Sequence, residues 1–157
     1  MRTDNRKVKN TVVSIYFVLI VFGILMITVF KSLDFFVDST FFIILGLFVI
    51  LVLFHSIAGY FEYDSDGAKI VILNKGLILT EYINYRENKL EFSRQQLEGF
   101  KIKNYIVYKS LVVLIKNYDG TKIKERFNVT LLKPKKLKYV RQSLRKTIKA
   151  NRKLKEG

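Results

Sequence analysis

The chain has no cysteine and no tryptophan, and only one proline and one histidine in 157 residues. Without cysteine there is no disulfide framework, no thiolate nucleophile and no cysteine metal site. One histidine cannot supply the paired imidazoles of an H-E-x-x-H site. No G-x-x-x-x-G-K-[ST], G-x-G-x-x-G or G-x-S-x-G stretch occurs, which removes the common phosphate-cradling loops and the nucleophile elbow. The carboxylates Glu62, Glu81, Glu87, Glu91, Glu98 and Glu125 are scattered, and their spacing gives no reason to pair two for acid–base work. Asp64-Ser65-Asp66-Gly67 begins like a calcium loop but runs into Ala68 and reads as a turn. These absences point to a protein that is not an enzyme, with no cofactor and no metal.

What is present is segregated. Half of the residues are hydrophobic and 26% are charged, and the two classes lie in separate blocks. Residues 11–30 and 39–61 contain no Asp, Glu, Lys or Arg. About twenty residues at 1.5 Å each cross a hydrocarbon core of roughly 30 Å. Two such runs in series predict a transmembrane helical hairpin with a short loop at 31–38. A cleaved signal peptide fits the first run poorly, because twenty residues is long for its apolar region and no small-residue cleavage site follows. Gly23 and Gly46 fall at similar depth in such a hairpin, where small residues permit close packing. Tyr16 and His55 also share a depth, near the basic side, so one hydrogen bond to Tyr16 or to headgroup water satisfies the histidine, and a proton relay is not expected.

The net charge is +15. Residues 1–10 hold four basic residues against Asp4. The 31–38 loop holds Lys31 against two aspartates, and residues 62–157 hold the remaining 23 Lys and Arg against 10 Asp and Glu. The excess of Lys and Arg on both flanks predicts that the tail 1–10 and the C-terminal part are cytoplasmic and that 31–38 is external. The location expected is the bacterial cytoplasmic membrane, with a multi-pass anchor.

Beyond residue 61 the period shortens. KIVIL at 69–73, LILTEYINY at 77–85, KLEF at 89–92, LEGFKIKNY at 97–105, SLVVLIKNY at 110–118 and TKIKERFNVTLL at 121–132 read as strands, with Asp119-Gly120 as a hairpin turn. Glu125 is the one polar residue on the apolar side of its strand. Pro134 opens a helix over 133–152, on which Leu137, Val140, Leu144 and Ile148 form an apolar stripe suited to the core. Residues 153–157 read as a frayed tail. The fold class expected is α+β: a two-helix membrane hairpin, then a small antiparallel barrel or sandwich over 62–132, capped by the C-terminal helix.

Tyr60-Phe61-Glu62-Tyr63 leading into the domain, KIVILNKG with its glycine turn, and Ser93-Arg94-Gln95-Gln96-Leu97 before a central strand resemble the membrane-anchored bacterial pleckstrin-homology (PH) domain family. The resemblance covers most of the chain and implies a PH-like domain that binds rather than catalyses. Its phosphoinositide-binding members use basic residues in the first strand–loop–strand. Here that loop is the acidic Asp64-Ser65-Asp66-Gly67, so inositol-phosphate binding is not expected.

The leading reading is a membrane-anchored scaffold that engages a protein partner or a second copy of itself, with membrane lipids also in contact and no small-molecule substrate. An alternative is direct binding of anionic lipid through Lys133, Lys135, Lys136, Arg141 and Arg145, whose bland reading is a solvated helix face. Nucleic-acid binding is a weaker alternative, since the charge permits it and Tyr105, Tyr108, Tyr118 and Tyr139 are potential stacking residues, but no recognised motif is present.

Overall fold

A computed structural model describes residues 1–32, 38–77 and 87–156. Its elements are β1 (Arg2–Asp4), α1 (Arg6–Ser32), α2 (Asp38–Ile57), β2 (Tyr60–Asp64), β3 (Lys69–Lys75), β4 (Asn88–Ser93), β5 (Leu97–Asn104), β6 (Lys109–Lys116), β7 (Lys122–Asn128) and α3 (Pro134–Glu156). A short 3-10 turn, Arg94–Gln96, joins β4 to β5. The fold is α+β, with an apolar N-terminal helix, two antiparallel sheets and a C-terminal helix.

Period-two patterning places the sheets. In β2, Phe61 and Tyr63 point inward and are fully buried, and in β3 so are Ile70 and Ile72. Leu111, Val113 and Ile115 do the same in β6, opposite Phe127 of β7. The first sheet has the order β1-β2-β3-β4 and the second β5-β6-β7. Between them Phe61, Tyr63, Phe92, Val113 and Phe127 share one core with Leu137, Val140 and Leu144 of α3, and Ile148 packs at its margin. The apolar stripe of the C-terminal helix is therefore core.

The barrel alternative does not hold: the sheets do not close. The 3-10 turn redirects the chain between β4 and β5, and among the described residues no backbone ladder joins the two sheets. Asparagines bridge the open corner instead. Asn74 Nδ2 donates to the carbonyls of Tyr60 (2.9 Å) and Asn128 (3.0 Å), while its Oδ1 accepts from the Asn128 N–H. Asn88 Nδ2 reaches Glu125 Oε2 at 3.3 Å, which gives the inward glutamate of β7 a partner.

Several boundaries differ from expectation. Residues 1–10 are not a free tail: Arg2, Thr3 and Asp4 pair with Asp64, Tyr63 and Glu62 as the edge strand of the first sheet, and Thr3 is buried. The segment 11–30 is part of a longer helix that begins at Arg6. The run 39–61 is cut short because α2 ends at Ile57 and Tyr60 and Phe61 enter β2, where sheet pairing and core burial hold them. Residues 153–156 continue α3, anchored just before by Asn151 Nδ2, which donates to the Arg94 and Leu97 carbonyls at 2.8 and 2.9 Å. Most of the expected 77–85 strand, and residues 33–37 of the expected loop, lie outside the described residues.

Among the described residues one helix is long and apolar enough to cross a membrane, Arg6–Met26 within α1. Almost none of that window is buried, and Phe17, Val18, Ile20 and Phe22 face outward. The second expected span is not matched by a second such helix among the described residues.

Candidate functional site

Two ends of the domain carry distinct chemistry. The first is where the helices leave it. Asn5 stands between β1 and α1 and is 2% exposed. Its Nδ2 donates to the Gly59 carbonyl at 2.8 Å and its Oδ1 accepts from the Phe61 N–H at 2.9 Å. Its own carbonyl accepts from the Lys9 N–H at 2.9 Å, closing the first turn of α1. Asn128 Nδ2 donates to the carbonyl of Ile57, the last residue of α2, at 2.6 Å. Asparagine suits this place because one side chain both donates and accepts, and so substitutes for a strand neighbour on each side. Gly59 suits a close approach: a Cβ there would lie 3.3 Å from Asn128 Nδ2 and from the Lys75 carbonyl oxygen, closer than most side chains sit. Above this collar Tyr16, Ala58 and Leu77 are buried together, with Val12, Leu51 and Leu131 packed against them.

The opposite end holds an open cleft of about 560 Å³ between α3, the 3-10 turn and the β2–β3 turn. Ser65, Arg94, Gln95, Tyr139, Gln142 and Lys146 are among its lining residues. Tyr63 donates its hydroxyl to Ser143 Oγ at 2.9 Å, and Ser143 lies 3.2 Å from Ser65 Oγ. Burial pushes the Tyr63 hydroxyl above the usual tyrosine range. Arg94 is drawn onto the Ser65 carbonyl. The cleft offers hydroxyls, amides and two cations, with Tyr139 half exposed at its rim.

The residues singled out in the sequence fall unevenly on this frame. Tyr16 and His55 meet as rings, with centroids 6.0 Å apart in an edge-to-face arrangement, but His55 Nδ1 has no hydrogen-bond partner among the described residues. Gly23 and Gly46 have open space where a Cβ would stand, so among the described residues no close helix contact passes through them. Lys136 is not a free lipid contact: its ammonium bonds the Asp4 carbonyl and lies 3.7 Å from the Asp4 carboxylate, fastening α3 to β1. Lys133, Lys135, Arg141 and Arg145 are exposed. They do not share one plane. Lys136 is beside Asp4 at the helix-bearing end and Asn151 is beside Arg94 at the other, so α3 runs away from the collar and carries Arg141 and Arg145 with it. Tyr105 and Tyr108 share one turn, with rings 6.1 Å apart, while Tyr118 and Tyr139 stand elsewhere, so the four do not make one stacking platform.

The described glutamates are engaged singly. Glu62 takes Arg2 Nε at 2.8 Å and the Tyr60 hydroxyl at 2.8 Å. Glu91 takes Lys69 at 2.9 Å, which holds its carboxyl below the usual range, Glu98 takes Lys122 at 2.9 Å, and Glu87 takes Lys75 at 3.3 Å. Glu81 lies outside the described residues. No cluster of three or more metal-ligating side chains occurs among the described residues. Comparison with protein-family models, curated proteins and solved structures found no match.

What sequence reasoning missed is the collar. Asn5, Asn74 and Asn128 are separated by more than fifty residues, and no local pattern links them. Nothing local marked Asn5, since the apolar run begins only at Thr11 and the Asn5 side chain bonds Gly59 and Phe61 rather than the first turn of α1.

Proposed function

We propose that the protein is a non-enzymatic, membrane-anchored binding module. A two-helix hairpin holds a PH-like domain at the cytoplasmic face, and the cleft beside α3 receives a protein partner. The observation that carries this reading is the pairing of β1 with β2. β1 precedes α1 and β2 follows α2, yet the two strands are hydrogen-bonded neighbours in one sheet. If α1 crosses a bilayer, the chain must cross back before Tyr60. α2, with twenty residues, is the element available for the return. Among the described residues, seven strands split four and three, followed by one helix packed on the core, support the PH-like comparison. The basic excess on the domain supports the cytoplasmic side.

The partner reading rests on the distal cleft. It faces away from the collar, so an anchored domain presents it to the aqueous phase, while Lys133 and Lys135 at the start of α3, near the collar, steady the domain against an anionic surface. Topology is tested with alkaline phosphatase inserted after Ser32 and, separately, fused after Gly157. The expected result is activity only for the first, and activity for the second overturns the reading. Photo-crosslinking from Gln142 in native membranes, with Tyr118 as the control position, tests the cleft. A stoichiometric adduct at Gln142 alone is expected, and equal capture from both sites overturns it.

A further inference from the structure

The β5–β6 connection, residues 105–108, is Tyr-Ile-Val-Tyr. The Tyr105 N–H donates to the Tyr108 carbonyl at 2.8 Å, which closes the turn. Ile106 is fully exposed, Val107 is 68% exposed and Tyr105 is 50% exposed. Turn geometry favours Gly, Asn, Asp and Pro, and gives no reason for two adjacent β-branched aliphatics at an apex in water. The turn's location supplies one. The Lys109 carbonyl accepts from the Val129 N–H at 2.9 Å, and the Lys109 N–H donates to Thr130 Oγ1 at 3.0 Å. The next residue, Leu131, packs against the buried cluster of Tyr16, Ala58 and Leu77, as do Val12 and Leu51 of the helices. The apex therefore leaves the sheet at the end from which α1 and α2 leave, and β6 runs from there toward the other end. Lys101, Lys103 and Lys109 flank it, and Lys133 and Lys135 stand by the start of α3.

We propose that the 105–108 turn is a second membrane contact, inserted into the anionic cytoplasmic leaflet beside the helical hairpin. Ile106 and Val107 enter the boundary between headgroups and acyl chains, where interfacial anchors bury about 5 to 10 Å. Tyr105 and Tyr108 lie at headgroup depth, which suits an apolar ring with a polar tip. The lysines extend their ammonium groups to lipid phosphates. The inserted turn and the helices together fix the tilt of the domain, so the distal cleft points to the aqueous phase. The inference rests on the membrane-anchored reading of α1.

The absence of cysteine makes the test direct. Leu19→Cys, Ile106→Cys and Tyr118→Cys are each labelled with an environment-sensitive fluorophore in the full chain. The chain is placed in nanodiscs of mixed neutral and anionic phospholipid, and brominated acyl chains and aqueous iodide serve as quenchers. The expected result is loss of fluorescence to brominated lipid at 19 and 106, and to iodide at 118. If 106 is quenched by iodide while 19 is quenched by lipid, the anchor stands and the inserted turn is overturned. If 106 is shielded from both quenchers, a protein surface such as a second copy covers it, and the proposal fails equally. If 19 is quenched by iodide, the anchored reading fails and takes this one with it.

Discussion

β6 begins at one turn, residues 105–108, and ends at another, residues 117–121, and the two are built from opposite chemistry. The second turn is polar and stitched. The Asn117 N–H donates to the Thr121 carbonyl at 2.8 Å, and Asp119 Oδ1 accepts from the Thr121 N–H at 2.8 Å. Gly120 supplies a φ of 89°, a conformation that L side chains rarely adopt. The first turn has one closing backbone bond and spends its apex on Ile106 and Val107. The same contrast runs through the helices. α1 shows apolar side chains all round, whereas α3 buries one stripe and exposes lysine and arginine elsewhere. On the proposed membrane-anchored reading the two ends of the molecule answer to two solvents, with the asparagine collar at the boundary.

Breaking the collar should have the largest effect. Asn5→Ala removes two side-chain hydrogen bonds and leaves a buried N–H and C=O unsatisfied, an expected loss of about 3 kcal/mol. Chemical denaturation in detergent followed by circular dichroism measures it, and a loss no greater than that of an exposed alanine substitution would show that the collar carries no stability. Gly59→Ala forces a Cβ against a backbone carbonyl and should cost about 1 to 2 kcal/mol in the same assay.

The distal end should respond more to pH than to truncation. The Tyr63 hydroxyl titrates above its unfolded value because burial favours the neutral form. Its contribution is therefore complete below the ordinary tyrosine range, about pH 10, and is lost as pH rises through the folded value. Wild type should lose stability in that alkaline window more steeply than Tyr63→Phe, and equal slopes would contradict the buried, hydrogen-bonded placement. The smallest effect belongs to the polar turn. Asp119→Ala removes an exposed side-chain acceptor and should leave the denaturation midpoint close to that of wild type. If it matches Asn5→Ala, the contrast between the two ends does not exist.

The alternating strands around Ile70, Leu111 and Phe127 and the stripe Leu137, Val140, Leu144, Ile148 were legible because side-chain direction follows backbone period. The Tyr16–His55 contact was legible from depth alone. The tail 1–10 was misread because three residues, Arg2, Thr3 and Asp4, show no alternation, and only the partner strand β2 makes them a strand. Phe61 was assigned to lipid because an apolar residue after an apolar run carries no mark of which apolar environment receives it. The basic residues of α3 were grouped by type, and only the direction of the helix separates Lys136, held by Asp4, from Arg141 and Arg145.

By itself the sequence determined the apolar helix, the strand-rich domain and its capping helix, since each depends on interactions within a few residues. The tertiary structure alone decided that the N-terminal strand belongs to the domain, that the sheets stay open, that Asn5 and Asn128 tie the helix ends to them while Asn74 bridges the two sheets, and that an exposed apolar turn shares their end. Each of these depends on hydrogen bonds or packing between segments far apart in the chain, and local periodicity holds no record of which distant partner satisfies a buried donor.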